Sequence, residues 1–474
     1  MSQAWRQLAF STAEFGAELW ALCRQVPLLD QVLCELDTLH SPRRAEDRAL
    51  RNHHRDLART GQFSLKLPDS GAVLRSGPSV MLDGKATVFG VQGRRDLLLA
   101  SSRVGFGQPL SAVVLPAQRT VIAVRGARWN LDAAGGARAM ALFDAAGLDW
   151  ASPAPGAPVV VLGDRNSAHH AWNQLGALAE ILRHTGAARV LATHQPLGPV
   201  QDLFADFPGL HVTPLPASAL PGLDPNHVLP FAPGGVVVLP QVAARVRALA
   251  ELRASAAVRG FVARAAQAGR RPVWLTVRVR EKTAGNLAEA LAALCVFLLN
   301  SGQFAVVLDG FAVPEDFATN PDYDNAVARR MIAREQSFAH ALCGMVQAQA
   351  GEAAMAFVHQ AVGGGLLDSI FLAGRSAAYF AHHGTLQHRI GYFTSTPGLV
   401  HASPGILRWD RAATLRDVAP GGGAAEYVSP GLVADIVPPG GQDGHPDNLY
   451  RFADIPALVA AFAACLARWG ATRA

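Results

Sequence analysis

Histidines are concentrated in one short segment of the carboxyl-terminal part of the chain. Residues 379–393 read YFAHHGTLQHRIGYF and contain three of the 16 histidines, at His382, His383 and His388. The segment is predicted to lead from a buried strand into a helix, which is where open α/β sheets bind ligands. Gly384 allows close backbone approach, and Thr385 can cap the helix so that its amides face an anion, while Arg389 is expected to add a fixed charge in the first turn. This pattern predicts a phosphate or diphosphate site; the alternative is a polar turn with solvated histidines.

Cations follow a second predicted strand. In TVRVREKTAGN (276–286), alternation places Arg278, Arg280 and Lys282 on one side of an extended segment, and Asn286 begins the next helix. Converging cations of this kind can neutralise a diphosphate leaving group. An ordinary charged surface cluster is the alternative.

A glycine-rich turn follows a third predicted strand, in HQAVGGGLLDSIF (359–371). His359 lies at the strand end, Gly364 lies in the turn, and Asp368 lies one helical turn further on. The spacing matches neither a dinucleotide fingerprint nor a P-loop, so NAD and P-loop nucleotide binding are not supported. The glycines allow a tight turn onto a ligand, and a merely flexible turn explains them equally well.

The amino-terminal half has its own paired histidines, in GDRNSAHHAWN (163–173). His169 or His170 could act as the general base for a hydroxyl group, because the histidine pKa lies near neutral pH, and Asp164 could orient that base. The alternative is a helix capped by Asn166 or Ser167.

The elements that would position these loops indicate an α/β protein. Strand–loop–helix units recur from about residue 158, with a further strand expected at VVVLP (236–240), then a long helical stretch over 241–269. We expect two Rossmann-like halves facing a cleft, preceded by a helical segment and a small β-rich module. The predicted domains are 1–60 (helical), 61–150 (β-rich, antiparallel), 151–270 (amino-terminal Rossmann-like, acceptor) and 271–474 (carboxyl-terminal Rossmann-like, donor).

The composition and net charge limit the classes of partner and the cellular compartment that we expect for the protein. The 474 residues are 50% hydrophobic and 17% charged, with a formal net charge of +5 that is spread along the chain. This balance suits an anionic small molecule or a membrane surface and does not imply nucleic acid. Five scattered cysteines, no signal peptide and no apolar run long enough to span a membrane predict a soluble, cytoplasmic protein, at most peripheral to the inner face of a membrane.

Several motifs together resemble a known family. These are the VRxR…N segment that opens the second half, Gly-Leu-x-Asp-x-Ile at 365–370, His-x-Gly-Thr at 382–385, PGLVH at 397–401 and His-x-x-Trp-Asn at 169–173. Over residues 158–405 the chain resembles bacterial GT-B glycosyltransferases of capsule and lipopolysaccharide assembly.

The resemblance implies a metal-independent transferase that needs no cofactor and uses a nucleotide sugar as its donor substrate. The donor diphosphate would lie near Arg278, Lys282 and the loop 383–385. The other half would bind a saccharide or lipid-linked acceptor, with the base at His169 or His170. The family often holds the donor ribose with a glutamate, for which Glu426 is the candidate. The absence of a DxD motif at a strand end agrees with metal independence.

Two other functions remain open from the sequence. A metal-dependent hydrolase could use the histidine pairs as ligands, although no HxH, HExxH or HxxxD spacing stands beside a carboxylate. A non-catalytic α/β scaffold of a polysaccharide or secretion complex would instead use the amino-terminal helices and the β-rich module as its working surfaces.

Overall fold

The computed structural model describes most of the chain and forms two compact units. The described residues are 4–11, 16–39, 48–82, 86–102, 110–124, 131–224, 226–235, 237–279, 283–408, 419–436 and 449–471, without the side chains of 48–52 and Thr385. One unit comprises Met1–Val238 with Asn320–Asp322, and the other comprises Leu239–Thr319 with Tyr323–Ala474. Among the described residues, no helix is long and apolar enough to cross a membrane.

The first unit contains a seven-stranded sheet. Its strands are β1 (Arg6–Phe10), β2 (Ser64–Lys66), β3 (Val73–Leu82), β4 (Ala86–Val91), β5 (Arg94–Ala100), β6 (Ala112–Leu115) and β7 (Thr120–Val124), in the order β1-β7-β6-β5-β4-β3-β2. Pairing is antiparallel except for β1, which runs parallel to β7. The strand β1 corrects the prediction that residues 1–60 are helical throughout. It forms because the edge of β7 accepts it and because it buries Phe10.

Helices accompany this sheet. They are α1 (Ala17–Gln25), α2 (Leu29–Leu39), α3 (Arg48–Thr60) and α4 (Ala133–Ala145). Asp132 caps α4 by accepting a hydrogen bond from the Gly135 amide at 2.6 Å. Phe143 of α4 packs in the apolar core formed with the strands.

A four-stranded parallel sheet completes the first unit. Its strands are β8 (Ala157–Leu162), β9 (Ala187–Ala192), β10 (Gly209–Pro214) and β11 (Val228–Phe231), in the order β10-β9-β8-β11. The connections contain α5 (Ser167–His169), a π-helical turn (His170–Leu175), α6 (Gly176–Thr185), α7 (Val200–Leu203) and a 3₁₀ turn (Ala217–Gly222). The prediction of a strand at 236–240 is wrong. Residues 228–231 form the strand that pairs with β8, and Pro240 is the first residue of a helix.

The second unit is built on a six-stranded, entirely parallel sheet. Its strands are β12 (Arg271–Thr276), β13 (Phe304–Asp309), β14 (Val358–Gln360), β15 (Ala378–His382), β16 (Gly398–His401) and β17 (Ala425–Tyr427). Their order is β14-β13-β12-β15-β16-β17. Counted from β12, this is the 3-2-1-4-5-6 order of doubly wound folds, in which ligands bind where the order reverses. That switch point lies between β12 and β15.

Helices cover both faces of the sheet. They are α8 (Pro240–Arg253), α9 (Ala256–Gln267), α10 (Leu287–Asn300), α11 (Asn325–Ala350), α12 (Glu352–Met355), α13 (Leu366–Arg375), α14 (Thr385–Phe393), α15 (Pro404–Leu407) and α16 (Ile455–Arg468). A 3₁₀ turn (Pro430–Leu432) precedes a small hairpin of β18 (Val433–Asp435) and β19 (Tyr450–Phe452). Val273, Leu275 and Phe380 face the core formed with α10 and α16.

The stretch 241–269, predicted as one helical segment of the first half, forms two helices that lie in the second unit. The break falls at Ala254 and Ser255, where Asp368 accepts a hydrogen bond from the Ser255 amide at 2.7 Å and so caps α9. The boundary expected at residue 270 therefore falls near residue 239 in the contact pattern.

Candidate functional site

The switch point of the six-stranded sheet brings together two of the predicted loops. Arg278 follows β12 and His382 ends β15, and the Arg278 Nη1 atom lies 3.2 Å from His382 Nδ1. The strand ends are tied to each other because the His382 amide donates to Thr276 Oγ1 at 2.9 Å. A fixed positive charge and a histidine therefore share the crevice in which doubly wound folds bind ligands.

Gly384 opens the next helix at the same place. Its φ of +112° is a backbone conformation that favours glycine, and a Cβ atom added there would lie 3.7 Å from Arg278 Nη1. Gly384 is the residue before α14, and no side chain caps that helix. Arg278 therefore lies beside the residue that precedes α14, and the amino-terminal end of a helix attracts anions.

The remaining predicted histidines of this loop are held by aromatic side chains. His383 Nδ1 lies 2.9 Å from the hydroxyl of Tyr427, at the carboxyl end of β17. His388 stacks on Tyr392 with ring centroids 4.6 Å apart. Both histidines are half-buried, so their positions are fixed while part of each ring stays accessible.

A buried layer supports His382 from the face of α10 and α16. His401 pairs with it in register, stacks on Phe380 at 4.6 Å and makes a 2.6 Å hydrogen bond through Nδ1 to the hydroxyl of Tyr450. Burial, with His382 and Arg278 nearby, holds the pKa of His401 well below its ordinary value. His401 is therefore neutral, and its role is to support the strand end.

Three predicted donor-binding side chains have other partners. Asn286 Nδ2 donates to the Phe452 carbonyl at 3.0 Å, and Asn286 Oδ1 accepts from the Phe452 amide at 2.9 Å. Asp368 caps α9, as described above. His359 stacks on Phe261 at 4.9 Å, and burial lowers its pKa. These contacts give each side chain a role in the fold. Gly364 lies in the turn before α13, where its carbonyl accepts from the Val313 amide at 2.8 Å.

Two further charged residues are paired with other groups of the second unit. Glu426, the candidate ribose ligand, accepts hydrogen bonds from Arg468 and Trp469 of the terminal helix region. Arg389, expected to add a charge to the first turn of α14, is buried against Asp309 at 3.6 Å. Arg280 and Lys282 lie outside the described residues, as does the side chain of Thr385.

Asp309 is the centre of a buried polar network that the sequence did not reveal. It accepts hydrogen bonds from Trp274 Nε1 at 3.0 Å, from the Gly310 amide at 2.7 Å and from the hydroxyl of Ser369. Burial raises the pKa of Asp309, while Arg389 and these donors lower it. The network ties the ends of β12 and β13 to α13 and α14, and thereby anchors the helix that Gly384 opens.

The paired histidines of the first unit differ in exposure. His170 is fully buried, with Nδ1 3.2 Å from Gln174 Oε1. His169 is half-buried, with Nδ1 3.2 Å from Asn173 Oδ1 and its ring stacked on Trp172. Only His169 is accessible enough to meet a substrate. The π-helical turn that begins at His170 is a feature often found at functional sites.

The Asp164 carboxylate accepts a hydrogen bond from the Asn166 amide at 2.9 Å and so closes the turn that precedes α5. Its role in orienting the base stays a prediction. Asn166 caps that helix through the Ala168 amide, as the alternative interpretation expected.

The switch point of the four-stranded sheet holds the His169 loop against the loop after β11. Asn173 Nδ2 donates to the Gly235 carbonyl at 2.7 Å, and His54 Nε2 accepts from the Gly234 amide at 2.9 Å. Burial lowers the pKa of His54 to about 4 and, with His54 nearby, that of His53 to about 3. Both histidines are therefore neutral structural residues.

Within the described ranges, no group of three or more His, Cys, Asp or Glu side chains is arranged to hold a metal ion.

The chain was compared with protein families, curated proteins and solved structures, and similarity is found only among the solved structures. No family model matches the chain, and no curated protein matches it. Among solved structures, the chain is similar to a glycosyl transferase family 9 crystal structure from Veillonella parvula DSM 2008, at 12% identity and a TM-score of 0.23, over 65% of this chain and 70% of that one.

Proposed function

We propose that the protein is a glycosyltransferase that moves a sugar from a nucleotide-sugar donor to a hydroxyl acceptor, a saccharide or a lipid-linked molecule of surface glycan synthesis. The observation that carries the proposal is the contact of Arg278 with His382 beside the uncapped, Gly384-led helix. This arrangement suits a diphosphate, because a guanidinium cation and the amino-terminal end of a helix both attract negative charge. That the transferred group is a sugar is inferred from the motif resemblance to glycosyltransferases.

The chemistry assigns one task to each group. The bond between the anomeric carbon and the diphosphate oxygen breaks, and a bond from that carbon to the acceptor oxygen forms. Arg278 and the amides of α14 stabilise the charge that develops on the departing diphosphate. The acceptor proton passes to a base, for which His169 is the candidate because His170 is buried. In this proposal the two parallel sheets are the donor and acceptor halves of a metal-independent GT-B enzyme.

The test is a thermal-shift screen of the full chain with nucleoside diphosphates and nucleotide sugars. Binding to the folded state raises the unfolding midpoint by mass action, so a positive ligand identifies the base and then the sugar. Arg278→Ala should abolish that shift, whereas Arg329→Ala, an exposed arginine of α11, should retain it. Absence of any shift across the panel would contradict the proposal.

A further inference from the structure

A tyrosine on the edge strand of the six-stranded sheet contacts the loop that follows β15. The hydroxyl of Tyr427, the last residue of β17, lies 2.9 Å from Nδ1 of His383, and the two ring centroids are 5.9 Å apart. The strand β16 lies between β15 and β17 in the sheet. His383 directly precedes Gly384, the residue beside which Arg278 lies. A side chain from the sheet edge therefore contacts the loop on which the proposed function depends.

The strand that carries Tyr427 is held on both sides of that residue. Before it, Glu426 accepts a 2.9 Å hydrogen bond from Nε1 of Trp469. After it, the Val428 amide donates to the Val400 carbonyl at 2.9 Å. Because successive residues of a strand point to opposite faces, Tyr427 points away from the face on which Glu426 contacts the terminal helix region. The Tyr427 hydroxyl therefore comes from a fixed strand.

The backbone of His383 is fixed as well. Its amide donates to the His401 carbonyl at 2.9 Å, and its carbonyl oxygen lies 2.5 Å from Nδ1 of His382. These contacts set the position of the backbone and leave the imidazole able to rotate about its side-chain bonds. The contact with Tyr427 is made at a ring nitrogen, so it restricts both this rotation and the choice of the nitrogen that carries the proton.

A hydrogen bond at one ring nitrogen of a histidine determines the state of the other. In a neutral imidazole, one nitrogen carries the proton and the other accepts a hydrogen bond. A phenol hydroxyl is a stronger donor than an imidazole N–H, so Tyr427 donates and Nδ1 of His383 accepts. The proton of the neutral ring is then on Nε2, and an N–H group is a suitable donor to a phosphate oxygen.

We propose that Tyr427 is a positioning residue: its hydroxyl holds His383 in the tautomer whose Nε2–H group donates to a phosphate oxygen of the nucleotide sugar at the start of α14. The inference rests on the proposed function and adds to it a residue of β17. Tyr427 acts through His383 and needs no contact with the nucleotide sugar itself. Metal-bound histidines are held in one tautomer in the same way, by a partner at the other ring nitrogen.

The first test measures the tautomer. In the full chain labelled with ¹⁵N-histidine, the ring nitrogens of His383 are assigned by comparison with His383→Ala. At about pH 8, where a histidine is ordinarily neutral, NMR should show the proton of His383 on Nε2. Tyr427→Phe removes only the hydroxyl and should give a mixture of the two tautomers. A proton on Nδ1 in the unsubstituted chain, or unchanged signals in Tyr427→Phe, would overturn the proposal.

The second test measures binding of ADP, GDP, CDP and UDP by titration calorimetry. Tyr427→Phe should weaken the nucleotide that binds by about three- to tenfold, as for the loss of one oriented hydrogen bond, and should leave kcat within about twofold. In the His383→Ala background the same substitution should add less than about twofold, because Tyr427 acts through that ring. Tyr323→Phe is the matched control: its hydroxyl donates to Asp316 Oδ1, also at 2.9 Å, and its loss should change neither affinity nor tautomer.

Each outcome decides a separate question. Unchanged affinity in Tyr427→Phe, or equal weakening with and without His383, overturns the positioning role and leaves the proposed function standing. A fall in the urea midpoint of Tyr427→Phe that accounts for the weaker binding gives Tyr427 a structural role instead. If the unsubstituted chain binds none of the four nucleotides, the proposed function is wrong and this inference fails with it.

Discussion

Arg389 and Asp309 form an ion pair in the interior of the second unit, with 3.6 Å between Nη1 and Oδ1 and with side chains that are 7% and 0% exposed. The pair joins α14 to the end of β13, the strand that neighbours β12 in the sheet. A buried pair of this kind is not expected to add much stability over an apolar pair. Its effect is to fix α14, the helix that follows Gly384.

Removing one partner of this pair should be costly. Asp309→Ala leaves a buried guanidinium without its anion, and we expect the free energy of unfolding to fall by about 3–5 kcal/mol. Glu251→Ala breaks the exposed pair with Arg375 and should cost less than about 1 kcal/mol. Urea unfolding of both variants measures the difference. Similar small losses would show that the buried pair does not anchor α14.

Arg278 should matter to turnover more than to folding. We expect Arg278→Ala to slow sugar transfer by about 10² to 10³, as for the loss of one preorganised group that stabilises charge in the transition state. The side chain is only half-buried, so the urea midpoint should change little. Steady-state rates with a donor identified in the thermal screen test this, with Arg329→Ala as the control. Full activity of Arg278→Ala would remove the arginine from the proposed mechanism.

The strand–loop–helix pattern and the position of the main loops could be predicted from sequence. Apolar runs such as VWLT and YFA end at charged, histidine or glycine residues, which marks the strand ends and so the edge of the sheet. The strand β17 could not be found in this way. Its three residues lie in a Pro- and Gly-rich stretch and form a strand only because β16 offers a free edge. The contact of Tyr427 with His383 was therefore missed.

The sequence also could not predict which groups the side chains of Arg389 and Asp368 contact. Arg389 follows the His-x-Gly-Thr motif by one turn and so was expected at the ligand, but its partner Asp309 comes from a strand 80 residues earlier. Asp368 likewise caps a helix that lies 113 residues away in the chain. In both cases local spacing predicts where a residue lies on its helix, whereas tertiary packing decides which group it meets.

Acid should destabilise the first unit through His53 and His54. Their pKa values of about 3 and about 4 lie below the unfolded value of 6.5, so unfolding takes up protons as the pH falls. The stability is full above pH 6.5 and is lost as the pH falls from about 6.5 to about 4 for His54 and to about 3 for His53, at about 2 kcal/mol for each histidine by pH 5. Urea unfolding at pH 7 and pH 5 measures it. His53→Phe, which keeps an aromatic ring against Phe63, should reduce the difference by about half.

Turnover should survive EDTA. In the proposed mechanism Arg278 and the amides of α14 supply the positive charge that a divalent ion provides in metal-dependent transferases. Rates measured before and after chelation should agree within error. Loss of activity in EDTA that Mn²⁺ or Zn²⁺ restores would favour a metal-dependent mechanism, and elemental analysis of the purified protein would identify the ion.

Substitution of each of the two adjacent histidines of the first unit should separate an effect on catalysis from an effect on folding. His169→Ala removes the accessible candidate base, so kcat should fall by about 10² to 10⁴ while donor affinity is unchanged. His170→Ala instead removes a fully buried ring and leaves Gln174 Oε1 without that contact, so its main effect should be a loss of about 1–3 kcal/mol in the free energy of unfolding. Single-turnover rates, a donor titration and urea unfolding of both variants distinguish the two effects. If His170→Ala folds normally and loses kcat while His169→Ala stays active, the assignment of the base is reversed; if both variants lose donor affinity but keep kcat, the donor and acceptor units are interchanged.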